Sequence, residues 1–273
     1  MVPHEISPYL IGLRKVESIY NRVAQLSNYV FGGHKLDNRA EYLEELEFLL
    51  KGVKGTDSHL TIFNHKTYSP ELEVGHLEFW GPLPEGTSQE RMISILGLLH
   101  KDYATFPFES VDWFTTALQK IPPEDRTNMK IHHCNMRFMR TDSKVIRIFS
   151  QGMPMQSDEQ NNFTYTLNYV QNIHYLIKKD YPYYWIRLSY GTENQFVETF
   201  HSATKEKSKN DLLSIREKEV LKLIAEDWDT KEIAKLLFIS SNTVGNHRSN
   251  MIERLGARDS TALVQLAKMS GMI

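Results

Sequence analysis

The sequence predicts two parts: an α+β N-terminal domain, an antiparallel sheet with helices, and an all-α C-terminal module of four helices. Three observations carry this. Segments rich in β-branched and aromatic residues, separated by turns, crowd residues 131–190. Capped amphipathic helices follow one another after residue 211. Between these regions, Ser202–Asn210 holds no large apolar residue and reads as a solvated linker, or as an exposed loop inside one domain.

A chain of 273 residues fits two domains. At 41% hydrophobic and 24% charged residues it is neither disordered nor fibrous. The most apolar run, Met92–Leu99, is far short of the ~20 residues a membrane span needs. The first residues lack the basic-then-apolar layout of a signal peptide, so a cytoplasmic protein without membrane contact is expected. The single cysteine, Cys134, can form no internal disulfide and no cysteine-based zinc site. No metal or cofactor is expected. The net charge of −2 argues against a nucleic-acid binder. That objection weakens when the chain is divided, because residues from Lys205 onward hold 12 basic and 10 acidic side chains.

The expected boundaries are an N-terminal helical segment at 1–54, a sensor or dimerisation domain at 55–201, a linker at 202–210, and the helical module at 211–273. In the first segment Val16, Ile19, Tyr20, Val23, Ser27 and Val30 recur at helix spacing. A second helix over Asn38–Val53 puts Tyr42, Leu46, Leu49, Leu50 and Val53 on one face, and Glu41, Glu44, Glu45 and Glu47 on a solvated one. His59–His65 and Lys66–Ser69 read as strands. Pro82, Pro84 and Gly86 punctuate a loop. Gln89–Leu99 and Phe108–Lys120 read as helices, the latter stopped by Pro122-Pro123. Ile131–Arg140, Val145–Gly152, Asn162–Ile173 and Tyr183–Tyr190 read as strands, with turns at Thr141–Ser143 and Ser157–Asn161.

The C-terminal module is the most informative part. Ser214-Ile215-Arg216-Glu217 has the form of a capping box. The helix it opens carries Leu221, Ile224, Ala225 and Trp228 on one face. Thr230 is the expected cap of a short helix, Lys231–Leu237. Phe238-Ile239-Ser240 makes a tight turn, and Ser240 caps a longer helix, Ser241–Leu255, with Val244, Met251, Ile252 and Leu255 inward. Gly256 sits where a helix-terminating glycine belongs. Asp259 caps a last helix with Leu263, Leu266 and Ala267 inward. A short helix, a three-residue turn and a longer helix, over about 230–249, make a helix-turn-helix whose second helix enters the major groove. Its outward residues Ser241, Asn242, Asn246, Ser249 and Asn250 are small and polar, and Arg248 adds a charge. Amides and hydroxyls of this kind bond base edges and phosphates, although any solvated helix face has a similar composition.

The run Leu213-Ser214-x-Arg216-Glu217-x-Glu219-Val220-Leu221, then Lys231-Glu232-Ile233-Ala234, then Ile239-Ser240-x-x-Thr243-Val244-x-x-His247 resembles the LuxR-type helix-turn-helix over about a fifth of the chain. The resemblance implies a transcription-factor module that binds duplex DNA, usually as a dimer. It implies a recognition helix beginning at Ser240, with DNA met at the positions of Ser241, Asn242, Val244, Gly245, Asn246 and Arg248, and phosphate at Lys231. Asn250 extends the same face. Thr243 and His247 either contact DNA or hold the helix in place. Glu217 and Glu219 match structural acids. There are two departures. Gly245 stands where Lys or Arg is usual, and Asp227 where glycine is common. Glycine within a helix costs ~1 kcal/mol relative to alanine, and the substitution removes a cation, so weak non-specific binding is expected.

For the N-terminal part, no receiver-like α/β alternation and no phosphate-binding G-x-x-x-x-G-K-[ST] occurs; Gly32-Gly33-His34-Lys35 is a coincidence. Ile131-x-x-x-x-Arg137-Phe138-x-Arg140-x-Asp142-Ser143-Lys144-Val145-Ile146-Arg147-Ile148 and Gly152-Met153-Pro154-Met155 resemble the terminal strands of a PAS domain, and Asn64–Glu71 resembles its first turn. The resemblance implies a module that senses a ligand or dimerises. A small-molecule ligand is therefore a candidate partner. Cys134-Asn135-Met136-Arg137-Phe138 departs from the flavin-reactive cysteine motif in order and lies on a strand. His132 and Cys134 share a strand face but lack a third metal ligand. Trp80, Trp113, Phe106 and Phe108 line a pocket or, more simply, form core. No hydrolase or metalloprotease motif appears, so no enzyme is expected.

The reading is therefore a DNA-binding transcriptional regulator, cytoplasmic and homodimeric, with RNA polymerase a further candidate partner. A PAS-like domain sets the spacing of its two recognition helices. The alternative is a protein-interaction adaptor with a weak or vestigial DNA-binding module.

Overall fold

The structure, a computed structural model, describes residues 57–67, 69–75, 79–83, 85–103, 106–158, 163–191, 195–204, 206–208 and 210–273. The two helices read at 16–30 and 38–53 lie outside the described residues, as does Gly32–Lys35. Strands β1 (Ser58–Asn64) and β2 (Ser69–Val74) precede helices α1 (Ser88–Gly97) and α2 (Phe106–Leu118). Strands β3 (Lys130–Met139), β4 (Val145–Ser157), β5 (Phe163–Asn172), β6 (Trp185–Tyr190), β7 (Gln195–His201) and β8 (Glu206–Ser208) follow. Helices α3 (Ile215–Ala225), α4 (Thr230–Leu236), α5 (Ser241–Leu255) and α6 (Ser260–Met269) complete the order. Among the described residues no helix is long and apolar enough to cross a membrane.

The chain divides into two compact units: residues up to Leu96 with Met153–Tyr169, and Gly97–Gly152 with Val170–Ile273. In the first, β1 pairs antiparallel with β2, with Leu60 opposite Val74 and Ile62 opposite Leu72, and β5 lies on the other side of β1. Lys66–Ser69 is not the second strand. The Asn64 side-chain oxygen accepts from the amides of Lys66 (2.8 Å) and Thr67 (3.3 Å), so the chain turns there and β2 starts at Ser69. Leu60, Ile62, Phe79 and Trp80 are buried, and the Trp80 indole donates to His59 Nδ1 at 3.0 Å.

In the second unit the strand order is β4-β3-β6-β7-β8, and the described pairings are antiparallel. Alternation puts Cys134, Trp185 and His201 in one cross-strand row, and His132, Arg187 and Thr199 in the next on the same face. The other face carries Ile186 and Phe200, also directly opposed. A bulge between Cys134 and Met136 places Asn135 at φ 65° and turns its amide toward the Tyr183 carbonyl, 2.6 Å away. Trp113 and Ala117 of α2 are fully buried. Trp113, and Trp80 in the first unit, thus serve as core. The side chain of Phe108 is outside the described set.

The stretch read as a solvated linker carries an edge strand. β8 pairs with β7 through Thr199 opposite Ser208, Phe200 opposite Lys207 and His201 opposite Glu206. Edge strands are often short and charged, which makes them hard to tell from linkers by composition. The four-helix module shares one buried core with the sheet: Cys134, Phe149, Ile173, Leu176, Ile177 and Trp185 pack with Val220, Leu221, Ile233, Val244, Met251, Leu255 and Leu263.

Candidate nucleic-acid interface

Each helix of the module starts on a side-chain cap. Ser214 Oγ accepts from the Glu217 amide at 3.2 Å, and the Glu217 carboxylate accepts from the Ser214 amide at 2.8 Å. Glu217 also pairs with Arg254 at 2.7 Å. Burial works to raise its pKa, but the hydrogen bonds from Arg254 and Ser214 outweigh it and hold the carboxyl below its ordinary value. This acid is structural, as the sequence implied. Trp228, by contrast, lies beyond the end of α3 and is 40% exposed, and Val220 takes its place in the core. The cap of α4 is Asp229, one residue before the expected Thr230. Its carboxylate accepts from the amides of Lys231 (2.6 Å) and Glu232 (2.8 Å), and Glu232 bonds back to its amide. A carboxylate at N-cap reaches two amides and complements the helix dipole.

The turn to α5 passes through Phe238 at φ 55°, and the Ile239 amide returns to the Ala234 carbonyl at 3.0 Å. Ser240 then caps α5, accepting from the Thr243 amide at 3.0 Å. At the far end Gly256, at φ 71°, ends α5 in the left-handed conformation that glycine adopts without strain.

The sequence-selected residues fall into three groups. Lys231, Ser240, Ser241, Asn242, Asn246 and Asn250 are exposed, a polar face with no acidic residue in the first turn of α5. Thr243, Gly245, His247 and Arg248 are half-buried. Thr243 exchanges a hydrogen bond with Ser240 Oγ at 2.8 Å, so holding the helix start is one role it performs. Arg248 donates to Thr230 Oγ1 at 3.3 Å, which ties α5 to the start of α4. Val244 is the correction: it is 0% exposed and packs in the core, so its side chain supports the helix from behind. At Gly245 a Cβ would meet nothing within 4 Å, so the missing side chain is not demanded by packing.

The other end of α5 was not foreseen. The last carbonyls of a helix have no partner within it, and here the sheet and the connection between β5 and β6 supply donors. Tyr181 Oη donates to the Arg254 carbonyl at 2.7 Å, with His201 Nε2 at 3.1 Å from the same oxygen. The Trp185 indole donates to the Leu255 carbonyl at 3.4 Å, and the Lys178 amide to the Gly256 carbonyl at 2.9 Å. Arg187, fully buried on β6, donates to both carboxylate oxygens of Asp211 (2.9 and 3.0 Å) and to the Ser270 carbonyl (2.8 Å). A sequence signal existed: an arginine inside the apolar strand Trp185–Tyr190 needs a buried partner. Among the described residues no group of three or more His, Cys, Asp or Glu suits a metal ion; His132 and Cys134 are buried strand residues.

A capped helix-turn-helix whose second helix exposes amides and hydroxyls has the form of a nucleic-acid reader, and the similarity to known proteins gives its class. Residues 211–267 match the model described as bacterial regulatory proteins, luxR family. The chain is 48% identical over 66 residues to the spore germination protein GerE of Bacillus subtilis (strain 168), covering 24% of this chain and 89% of that protein. It is 35% identical over 92 residues to the oxygen regulatory protein NreC of Staphylococcus aureus (strain MRSA252), covering 33% of this chain and 42% of that one. A solved structure of the transcription factor GerE matches at 40% identity, over 23% of this chain and 94% of its own, with a TM-score of 0.21. The chain belongs to the luxR family of bacterial regulatory proteins. It is a DNA-binding transcription regulator.

Proposed function

We propose that the protein reads duplex DNA as a homodimer, with Ser241, Asn242, Asn246, Arg248 and Asn250 meeting bases and phosphates and Lys231 meeting backbone. The observation that carries this is the exposed polar N-terminal half of α5, held outward by the buried Val244 and the Ser240 cap. The antiparallel sheet serves as a PAS-like sensor or dimerisation part, acting in the cytoplasm. Its response to a small molecule alters association and so the spacing of two recognition helices on half-sites roughly one helical turn apart. RNA polymerase is the partner through which transcription would change.

Operator selection from random duplex DNA tests binding, site symmetry and half-site spacing together. Enrichment of a palindromic site supports the reading, and enrichment of none defeats it. The adaptor alternative is favoured by Gly245 and the net charge of −2. It predicts duplex affinity that hardly changes with salt, whereas a reader's affinity falls steeply.

A further inference from the structure

We infer that Arg187 is a positioning residue for DNA reading: it locks the helical module to the sheet, so the recognition helix is mounted rather than tethered. The inference rests on the DNA-reading role proposed for α5. One guanidinium grips both ends of the module. Asp211 precedes α3, and Ser270 caps the C-terminus of α6. Asp211 is itself fixed, because its carboxylate also accepts from Lys218 at 2.6 Å and from the Leu212 amide at 2.7 Å. The exposed fractions of the Arg187 and Asp211 side chains are 0% and 7%, so water does not compete for the pair.

Around this lock, β6 and the connection that leads into it from β5 hold the C-terminal end of the recognition helix. The carbonyls of Arg254, Leu255 and Gly256 take donors from Tyr181, Trp185 and Lys178, and the Arg258 amide donates to the Leu176 carbonyl at 2.7 Å. Thr199 Oγ1 adds a bond to the Asn210 carbonyl at 3.0 Å, just before the module begins. α5 is thus a rod fixed at one end and reading at the other. From Leu255 to Val244 it runs about 17 Å at 1.5 Å per residue. A tilt of about 10° at the mount would move the reading end by about 3 Å, close to the ~3.4 Å rise of one base step. Small changes in β6 therefore change what α5 can read. A flexible linker would average them away.

The test uses the full chain. Cys134 is buried and burial pushes its thiol pKa well up, so it stays unlabelled while Lys144→Cys and Lys235→Cys, both at exposed positions, take spin labels. Electron–electron distance distributions are recorded in wild type, Arg187→Lys and Arg187→Met, alongside affinity for a selected duplex. The expected result is one narrow distribution in wild type, a broad one in Arg187→Met with affinity about tenfold lower, and an intermediate for Arg187→Lys, which cannot fork onto both carboxylate oxygens. If Arg187→Met fails to fold, Arg187→Met/Asp211→Leu replaces it, because that pair leaves no lone buried charge. A distribution as narrow as wild type overturns the lock. A broadened distribution with unchanged affinity overturns the positioning role. Should the wild type bind no duplex at all, the DNA reading fails, while the distance distributions still report on the lock.

Discussion

Replacing Gly245 by lysine isolates the electrostatic share of DNA reading. The position lies one turn into α5, between the exposed Asn242 and Asn246, and a Cβ there has open space around it. Two gains are expected. Removing glycine from the helix interior stabilises the folded chain by up to ~1 kcal/mol. That corresponds to a rise of roughly 2–4 °C in Tm for a domain of 150–250 residues. One added phosphate contact steepens the slope of log affinity against log salt by about 0.9. Between 50 and 200 mM salt the variant should therefore lose about 3.5-fold more affinity than wild type. Gly245→Ala separates the two gains, since it shares the first and lacks the second. Fluorescence anisotropy titrations at four salt concentrations, with thermal unfolding in parallel, measure both. If Gly245→Lys has the salt slope of Gly245→Ala, residue 245 does not face the DNA backbone. α5 then meets DNA through another face, contrary to the proposed docking.

Three further outcomes are expected. Arg248→Ala should weaken binding by ~1–3 kcal/mol, and a mobility shift showing wild-type affinity across salt would move Arg248 out of the interface. Gly256→Ala should cost well over the ~1 kcal/mol of left-handed strain, because its Cβ would lie 2.2 Å from Tyr181 Cδ1; an unfolding midpoint within error of wild type would refute the tight docking. Acid should destabilise the protein, because burial lowers the His132 pKa to about 3 against ~6.5 unfolded, so the unfolded chain binds the extra proton and stability falls as pH drops through 6.5. By pH 5 this amounts to about 2 kcal/mol for His132; denaturant midpoints equal at pH 7.5 and pH 5, or equally shifted in His132→Leu, would contradict it.

The helical module was legible because its information is local. Capping boxes, a helix-ending glycine and a 3.6-residue apolar period are each read within a few residues, and α5 runs over Ser241–Leu255 as expected. The error at the α4 cap was one residue, where Asp229 outcompetes Thr230 because a carboxylate reaches two amides. The missed features are non-local. β8 has three residues, and its pairing with β7 depends on a hydrogen-bonding edge that composition does not reveal. Val244 has two sequence readings, core and DNA contact. Periodicity alone favoured the core, and the family resemblance pulled the other way; burial decides for the core.

The docking of reader on sheet shows why a charge inside an apolar strand is informative. Arg187 contributes no apolar contact that a leucine would not make better, and burying its charge is costly unless every donor is met. Each of its three nitrogens donates once, to a carboxylate and a carbonyl from opposite ends of the module. Both arms must be in place together, so the guanidinium discriminates the docked arrangement from any near miss, which an apolar contact would tolerate. The Asp211 pKa shows the same dependence: burial alone would raise it, yet Arg187 and Lys218 hold the carboxyl below its ordinary value. Its share of stability is therefore present above ~pH 4 and is lost as pH falls through the lower folded-state value. Substitution at Asp211, outside the exposed polar face of α5, should alter DNA binding through the angle of α5 while leaving that face intact.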